Sequence, residues 1–534
     1  MSDVAALVDA YLAHHFTFRP VDASFMGIAG HDHRLPPAAP DTAAAERTGL
    51  AALRAMLTAT PEGDSVGERL DRRLVEAQVT LTDAALDASP RLANPAWYTG
   101  EAAFAIIGLL LPRAAPVDPA AIAARLAAIP DFLAEGQANL IAAPSVITAR
   151  ARREAASFAA FLRGDMRQHP DWQPGWADTA TAAAGALDSF SAAIAQLPDR
   201  PAATGRAYLE TLMHAGHGLE FDAAAALAKV DADYARLTVE LAQLAAANDP
   251  TQTWEQQAEA LGQHTAAAPE TVIDLYRALD ARAVADAAPL VTPATEFGLE
   301  YRWLPAYFAA VARDLYFLPY RSPPGGAPGD GSIYWVHPPS EPAADYLRGN
   351  DVASVKIIHA VHHGSIGHHT QNARARSAQS RMARIAGTDC ALGLAMISAG
   401  TMVEGWACYV QDLMAEAPDF YSPTEQVLLK QFERRNAASV LVDIRLHTGE
   451  WSREQAIAFY RSAGFAEARV EGEVTRNLML PGTRLMYWLG IEMIRDLRQR
   501  WKADTRSFHD TLIGHGNVPI AWAGAEMARA GLLD

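Results

Sequence analysis

Most segments of this chain repeat their apolar residues at intervals of three and four rather than alternately, and that spacing predicts helices. Glu68–Ala85, Ala120–Gln137, Ala149–Arg163 and Tyr234–Ala247 keep the pattern and are rich in strong helix formers. Pro, Gly and Asp punctuate the gaps between such segments. Val4, Leu7, Val8 and Leu12 place an amphipathic helix at the start, and residues 398–414 read as a mostly apolar helix. Residues 167–176 and 322–331 carry loop chemistry, and Ser332–Val336 reads as a strand or extended piece. No fixed-period repeat is visible, which argues against a solenoid. The expectation is a mainly α fold with few short strands. An N-terminal helical scaffold would span 1–290 and a second half 291–534. No long flexible linker divides them, so they could form one continuous body with a cleft.

Charge and composition narrow the function. A net charge of −17 leaves a nucleic-acid surface dependent on a local basic patch, and only Arg374/Arg376 and Arg434/Arg435 cluster. Two cysteines, Cys390 and Cys408, exclude a disulfide framework and fit a reducing compartment. The first residues lack the basic, apolar and small-residue sections of a signal peptide. The longest apolar run, Ala102 to Pro112, is too short to span a bilayer. These features predict a soluble, cytoplasmic protein with no membrane or nucleic-acid partner.

Candidate chemistry concentrates in His359-Ala-Val-His362-His363-Gly-Ser-Ile-Gly-His368-His369-Thr-Gln371, where five histidines fall within eleven residues. Glu404 follows inside the apolar helix, where a carboxylate is costly to bury unless paired or bound to a metal. Imidazoles with a neighbouring carboxylate are what a zinc site, or another divalent-metal site, requires. On a regular helix His359 and His363, or His359 and His362, share a face. His362 and His368 are six apart and would diverge unless the helix distorts or ends at Gly364 or Gly367. Spacing alone therefore leaves two ligand sets, with His359 as the alternative ligand. The competing reading is a His-rich helix end bonded to backbone and solvent, and for Glu404 a salt bridge to arginine. His214-Ala-Gly-His217 reads as an exposed turn, and His14-His15 and His31-Asp-His33 are no stronger as ligand sets.

The motifs taken together resemble the bacterial "domain of unknown function 885" family of zincin-like metallohydrolases. That family carries His-Glu-x-x-Pro-Gly-His-His-x-Gln, then Glu-Gly-Trp-Ala-x-Tyr, then a C-terminal stretch with Arg, Pro-Gly-Gln-Ala, Tyr and Gly. This chain has His362 to Gln371, Glu404-Gly-Trp-Ala-Cys-Tyr409, Asp443-Ile-Arg-Leu-His447 with Trp451, and Arg476 through Pro481-Gly-Thr-Arg to Tyr487 and Gly490. Phe508-His509-Asp510 through Gly516-Asn-Val-Pro519 continues the order, and Ala23 to Asp32 fits more loosely. Three departures stand out: His363 replaces the motif Glu, Ile366 the Pro, and Thr483-Arg484 the Gln-Ala.

The resemblance implies a zincin-like helical architecture with a deep cleft and a metal held by His362, His368 and Glu404. It implies hydrolysis of amide or peptide bonds in a small-molecule or peptide substrate. His363 then occupies the general-base position, where it could serve as base, as an additional ligand, or as the relic of a lost activity. Tyr487 and Arg476 are candidates for stabilising the oxyanion. His369, His447 and Arg374 are candidates for binding substrate. The rival readings are a divergent metalloenzyme of non-peptidase chemistry and a non-catalytic binding protein.

Overall fold

The computed structural model describes residues 3–112, 116–315, 320–321, 331–385 and 399–534. Helix makes up 71% and strand 2%, which settles the class as mainly α. The periodic segments become helices Val66–Asp87, Pro119–Asn139, Ser145–Arg163 and Ala223–Asn248. Their ends follow local chemistry. The Ser65 hydroxyl accepts from the Glu68 backbone while the Glu68 carboxylate returns to the Ser65 N–H, a reciprocal cap at the first of them. The Asp222 carboxylate caps the last in the simpler way.

Contacts divide the chain into two units that interleave in sequence. The first comprises 1–202, 304–330 and 380–396; the second comprises 203–303, 331–379 and 397–534. The boundary expected near residue 290 thus falls inside the second unit, and two later stretches return to the first. In the first unit, the apolar run beginning at Ala102 lies in helix Pro95–Leu110, where Ala102, Ile106 and Leu109 are fully buried. Helices Pro119–Asn139 and Ser145–Arg163 pack on it. No helix among the described residues is long and apolar enough to cross a membrane.

The second unit positions the histidine segment. Helix Ala223–Asn248 lies along helix Pro423–His447, and helix Gly400–Leu413 along helix Leu485–Gln499. Val230, Leu237, Val440, Ile444 and Trp488, from three of these helices, form one buried cluster. The expected strand at Ser332–Val336 pairs in parallel with Leu299–Trp303, which the apolar pattern did not reveal. Cys408 is a buried free thiol, whereas Cys390 and residues 322–330 of the loop expected at 322–331 lie outside the described residues.

Candidate metal centre

Residues 352–375 do not form a regular helix. After a short turn, Val352–Ser354, the backbone widens into a π-helix over Val355–His362, closed by the His363 N–H donating to the Ile358 carbonyl at 3.0 Å. Gly364 is extended (φ −79°, ψ −162°), and a second wide turn covers Ser365–His369, with Gly367 outside helical geometry (φ −86°, ψ −120°). A side chain is excluded at both glycines. A Cβ on Gly364 would lie 2.0 Å from the Ala360 carbonyl oxygen, and one on Gly367 would lie 1.9 Å from that of His362. Two wide turns and a break bring together imidazoles that a regular helix would point apart. The His362 and His368 rings cross at 90° with centroids 4.8 Å apart.

Glu404 faces both rings from helix Gly400–Leu413. Its Oε2 lies 3.4 Å from His362 Nε2 and 3.7 Å from His368 Nε2. His363 packs against the pair, 4.6 Å from the His362 ring and 5.2 Å from that of His368. One nitrogen from each of the three histidines falls within 4.8 Å of the others. A tetrahedral zinc ion with bonds of about 2.0–2.2 Å separates its donors by about 3.3–3.6 Å. The two carboxylate–imidazole spacings sit at or just beyond that range, and neutral nitrogen plus anionic oxygen is the donor chemistry zinc takes. The residues fit the ion.

Electrostatics keep Glu404 and His368 in ligand form. Burial alone would raise the Glu404 carboxyl, but His368, the His362 hydrogen bond and Arg476 hold it at about 2. Burial, opposed by Glu404 and assisted by His362, sets His368 at about 4. Burial and then His362, His368 and His359 push His363 well below the ordinary histidine value. At neutral pH His363 and His368 are therefore neutral and Glu404 is a carboxylate.

The supporting contacts come from distant segments. Asp280, on helix Val272–Ala287, accepts from both the backbone N–H and the hydroxyl of Ser365, each at 2.7 Å, and so fixes the start of the second wide turn. Trp406, fully buried beside Glu404, donates its indole N–H to the Ile366 carbonyl at 3.2 Å. Gln411 donates to the Ile357 carbonyl at 3.1 Å, so the helix bearing Glu404 holds both wide turns. Cys408 lies against the other face of His362, with Sγ 3.8 Å from Nδ1. Arg476 donates to the Tyr487 hydroxyl at 3.4 Å and acts on the Glu404 charge, which in turn acts on Tyr487. Burial, with Glu404 next, raises the Tyr487 phenol, so it remains a donor.

Other predicted site residues serve the framework. His359 is close enough to stack parallel to His363, but its Nδ1 is hydrogen-bonded to the Tyr334 hydroxyl and its ring stacks on Tyr276. His369 turns away from the cluster. Its Nδ1 meets the Ser332 hydroxyl at 2.7 Å and its Nε2 the Phe297 carbonyl at 2.8 Å, leaving no nitrogen for a substrate. His447 is fully buried, with Nε2 on the Asn477 carbonyl and Nδ1 on Thr204. Arg374 pairs with Glu296 and donates to the Thr292 carbonyl, tying down a loop. All three thus make framework contacts in this structure. The expected turn at His214–His217 is itself a wide helical turn, and His217 is buried with Nε2 on the Gly482 carbonyl at 2.7 Å. A hollow of about 700 Å³ lined by Phe221, Leu489, Met493 and Ile520 includes none of the clustered histidines.

Sequence reasoning missed Asp280, Tyr334 and the contact of Cys408. A signal existed for the first: Asp280 falls on the buried face defined by Ile273, Tyr276, Ala283 and Ala287, where an unpaired acid would be costly.

A helical fold that brings histidines and a glutamate together from separate segments defines the class. The chain belongs to a family described as "Bacterial protein of unknown function (DUF885)", whose model matches residues 20–527. Two solved structures share the fold. One, "a putative lipoprotein of unknown function from Shewanella oneidensis", superposes with a TM-score of 0.77 at 18% identity, covering 99% of this chain and 100% of that one. The other, "the putative lipoprotein from Colwellia psychrerythraea", gives 0.76 at 18% identity and covers 99% of each chain. No curated protein matches. These likenesses correct the expected cytoplasmic location: the two structures named are each described as a putative lipoprotein.

Proposed function

We propose that the protein is a metal-dependent hydrolase of amide or peptide bonds in a small substrate, with a zincin-like helical architecture and a substrate cleft. Zinc, or another divalent ion, is held by His362, His368 and Glu404. One observation carries this reading: two imidazoles from a broken helix approach one carboxylate oxygen, at 3.4 and 3.7 Å. A divalent ion there would polarise a substrate carbonyl and acidify a bound water. His363, neutral and with no hydrogen-bond partner on Nδ1 among the described residues, can accept a proton and pass it to a leaving amine. It does so at a disadvantage, because an imidazolium beside a cation is repelled, whereas a glutamate becomes neutral on taking the same proton. Tyr487, kept protonated, and Arg476 can donate to a developing oxyanion.

A second reading is supported by the grouping of all three histidines within 4.8 Å: His363 is a further ligand, and the closed site serves binding or non-peptidase chemistry. Metal content by mass spectrometry, with turnover of a dipeptide and acyl-amino-acid panel, separates these possibilities. The expected result is one equivalent of zinc in the wild type, lost in His368→Ala and Glu404→Ala together with hydrolysis. Zinc without hydrolysis favours the second reading. A protein that holds no metal after reconstitution overturns both.

A further inference from the structure

We infer that Cys408 is a positioning residue, its sulfur receiving the His362 Nδ1–H and so presenting Nε2 to the metal. The inference rests on the ligand set proposed above. His362 Nε2 is the nitrogen turned to Glu404, at 3.4 Å. An imidazole that gives the Nε2 lone pair to an ion carries its proton on Nδ1, and that proton requires an acceptor. The group facing Nδ1 is Cys408 Sγ, at 3.8 Å and buried. A second donor converges on the same sulfur, the Asn436 Nδ2–H at 3.7 Å. With Nδ1 protonated in this way, two N–H groups meet one sulfur, and the sulfur is their acceptor. Cys408 is also one helical turn beyond Glu404, so one helix supplies a ligand and the group that orients its neighbour. Helix Pro423–His447 supplies Asn436 and completes the support from the other side.

The test is zinc affinity of the full chain, measured by competition with a chromophoric chelator, for wild type, Cys408→Ala and Cys408→Ser. Alanine and serine leave nearly the same space and differ in the acceptor. The expected result is zinc binding weakened about 10- to 100-fold in Cys408→Ala, the usual cost of losing such a partner. Cys408→Ser should bind closer to wild type, while thermal unfolding in chelator is alike in the two variants. Cys408→Val, which fills the space without an acceptor, should follow Cys408→Ala and stands in for it should that variant not fold. Equal weakening in Cys408→Ala and Cys408→Ser would assign the effect to packing and overturn the inference. So would unchanged affinity in both, even with wild-type zinc binding intact. Failure of the wild type to bind zinc would instead overturn the proposed ligand set, and this inference with it.

Discussion

Gly405 and Gly490 meet backbone to backbone where helix Gly400–Leu413 crosses helix Leu485–Gln499. A Cβ on Gly405 would lie 2.4 Å from the Gly490 Cα, and one on Gly490 would lie 2.2 Å from the Gly405 Cα. This crossing fixes the distance between the helix that carries Glu404 and the helix that carries Tyr487. Neither backbone can yield as a flexible side chain would. Gly490→Ala is therefore expected to destabilise the protein by about 1–3 kcal/mol, as overpacking does. Zinc affinity should fall with it. Thermal unfolding and chelator competition read the two effects.

The break at Gly367 carries a sharper expectation. A methyl group there would meet the His362 and Val361 carbonyl oxygens at 1.9 and 2.3 Å, so Gly367→Ala must reshape the turn that brings His368 to His362. Loss of zinc retention is expected, whereas Gly472→Ala, in open space on another helix, should retain the metal. Retention of a full equivalent of zinc by Gly367→Ala would sink the argument that this break creates the site.

Replacing His363 separates base from ligand. If it acts as the base, His363→Ala keeps zinc and loses about 10²- to 10⁴-fold in kcat, the usual range for general catalysis. His363→Glu, which puts a carboxylate base at that position, should then raise kcat above the wild-type value. Zinc loss in His363→Ala would favour the ligand role. Kinetics and metal analysis on one preparation decide between them.

His217 predicts an acid limit on stability. Burial, against a hydrogen bond to the Gly482 carbonyl, holds it at about 4 in the folded protein, below the ordinary 6.5. Above pH 6.5 it is neutral in both states and its contribution to stability is complete. Between pH 6.5 and 4 the unfolded chain takes a proton that the folded chain refuses, so stability falls with pH across that window. His447 and His509, each at about 4, act in the same direction. The melting temperature of His217→Gln should drop less than the wild type's between pH 6.5 and 4.5.

The helices were legible because their cores need only one apolar face, and Val230 and Leu237 show it seven residues apart. Glu404 was legible as a carboxylate in an apolar helix. The pairing of His362 with His368 was not readable from spacing, because it depends on two widened turns that Asp280, Trp406 and Gln411 support from elsewhere in the chain. Motif order indicated that pair, while regular geometry favoured His359. His369, His447 and Arg374 make framework contacts that spacing did not indicate. A polar side chain spent on Phe297, Asn477 or Glu296 looks the same in sequence as one offered to a substrate. The interleaved units were hidden because residues 304–330 and 380–396 rejoin the first unit only in space.

The widened turns also make the segment sensitive to a different kind of genetic change. A π-turn holds one residue more than an α-turn, and each helical residue rotates the chain by about 100°. Deleting a single codon within Val355–His362 would let the backbone relax to ordinary pitch and remove the widened turn from which His362 meets His368 and Glu404. Point substitutions on the outer face would leave the register untouched. Descendants of this gene should therefore vary here in residue type but hardly ever in length.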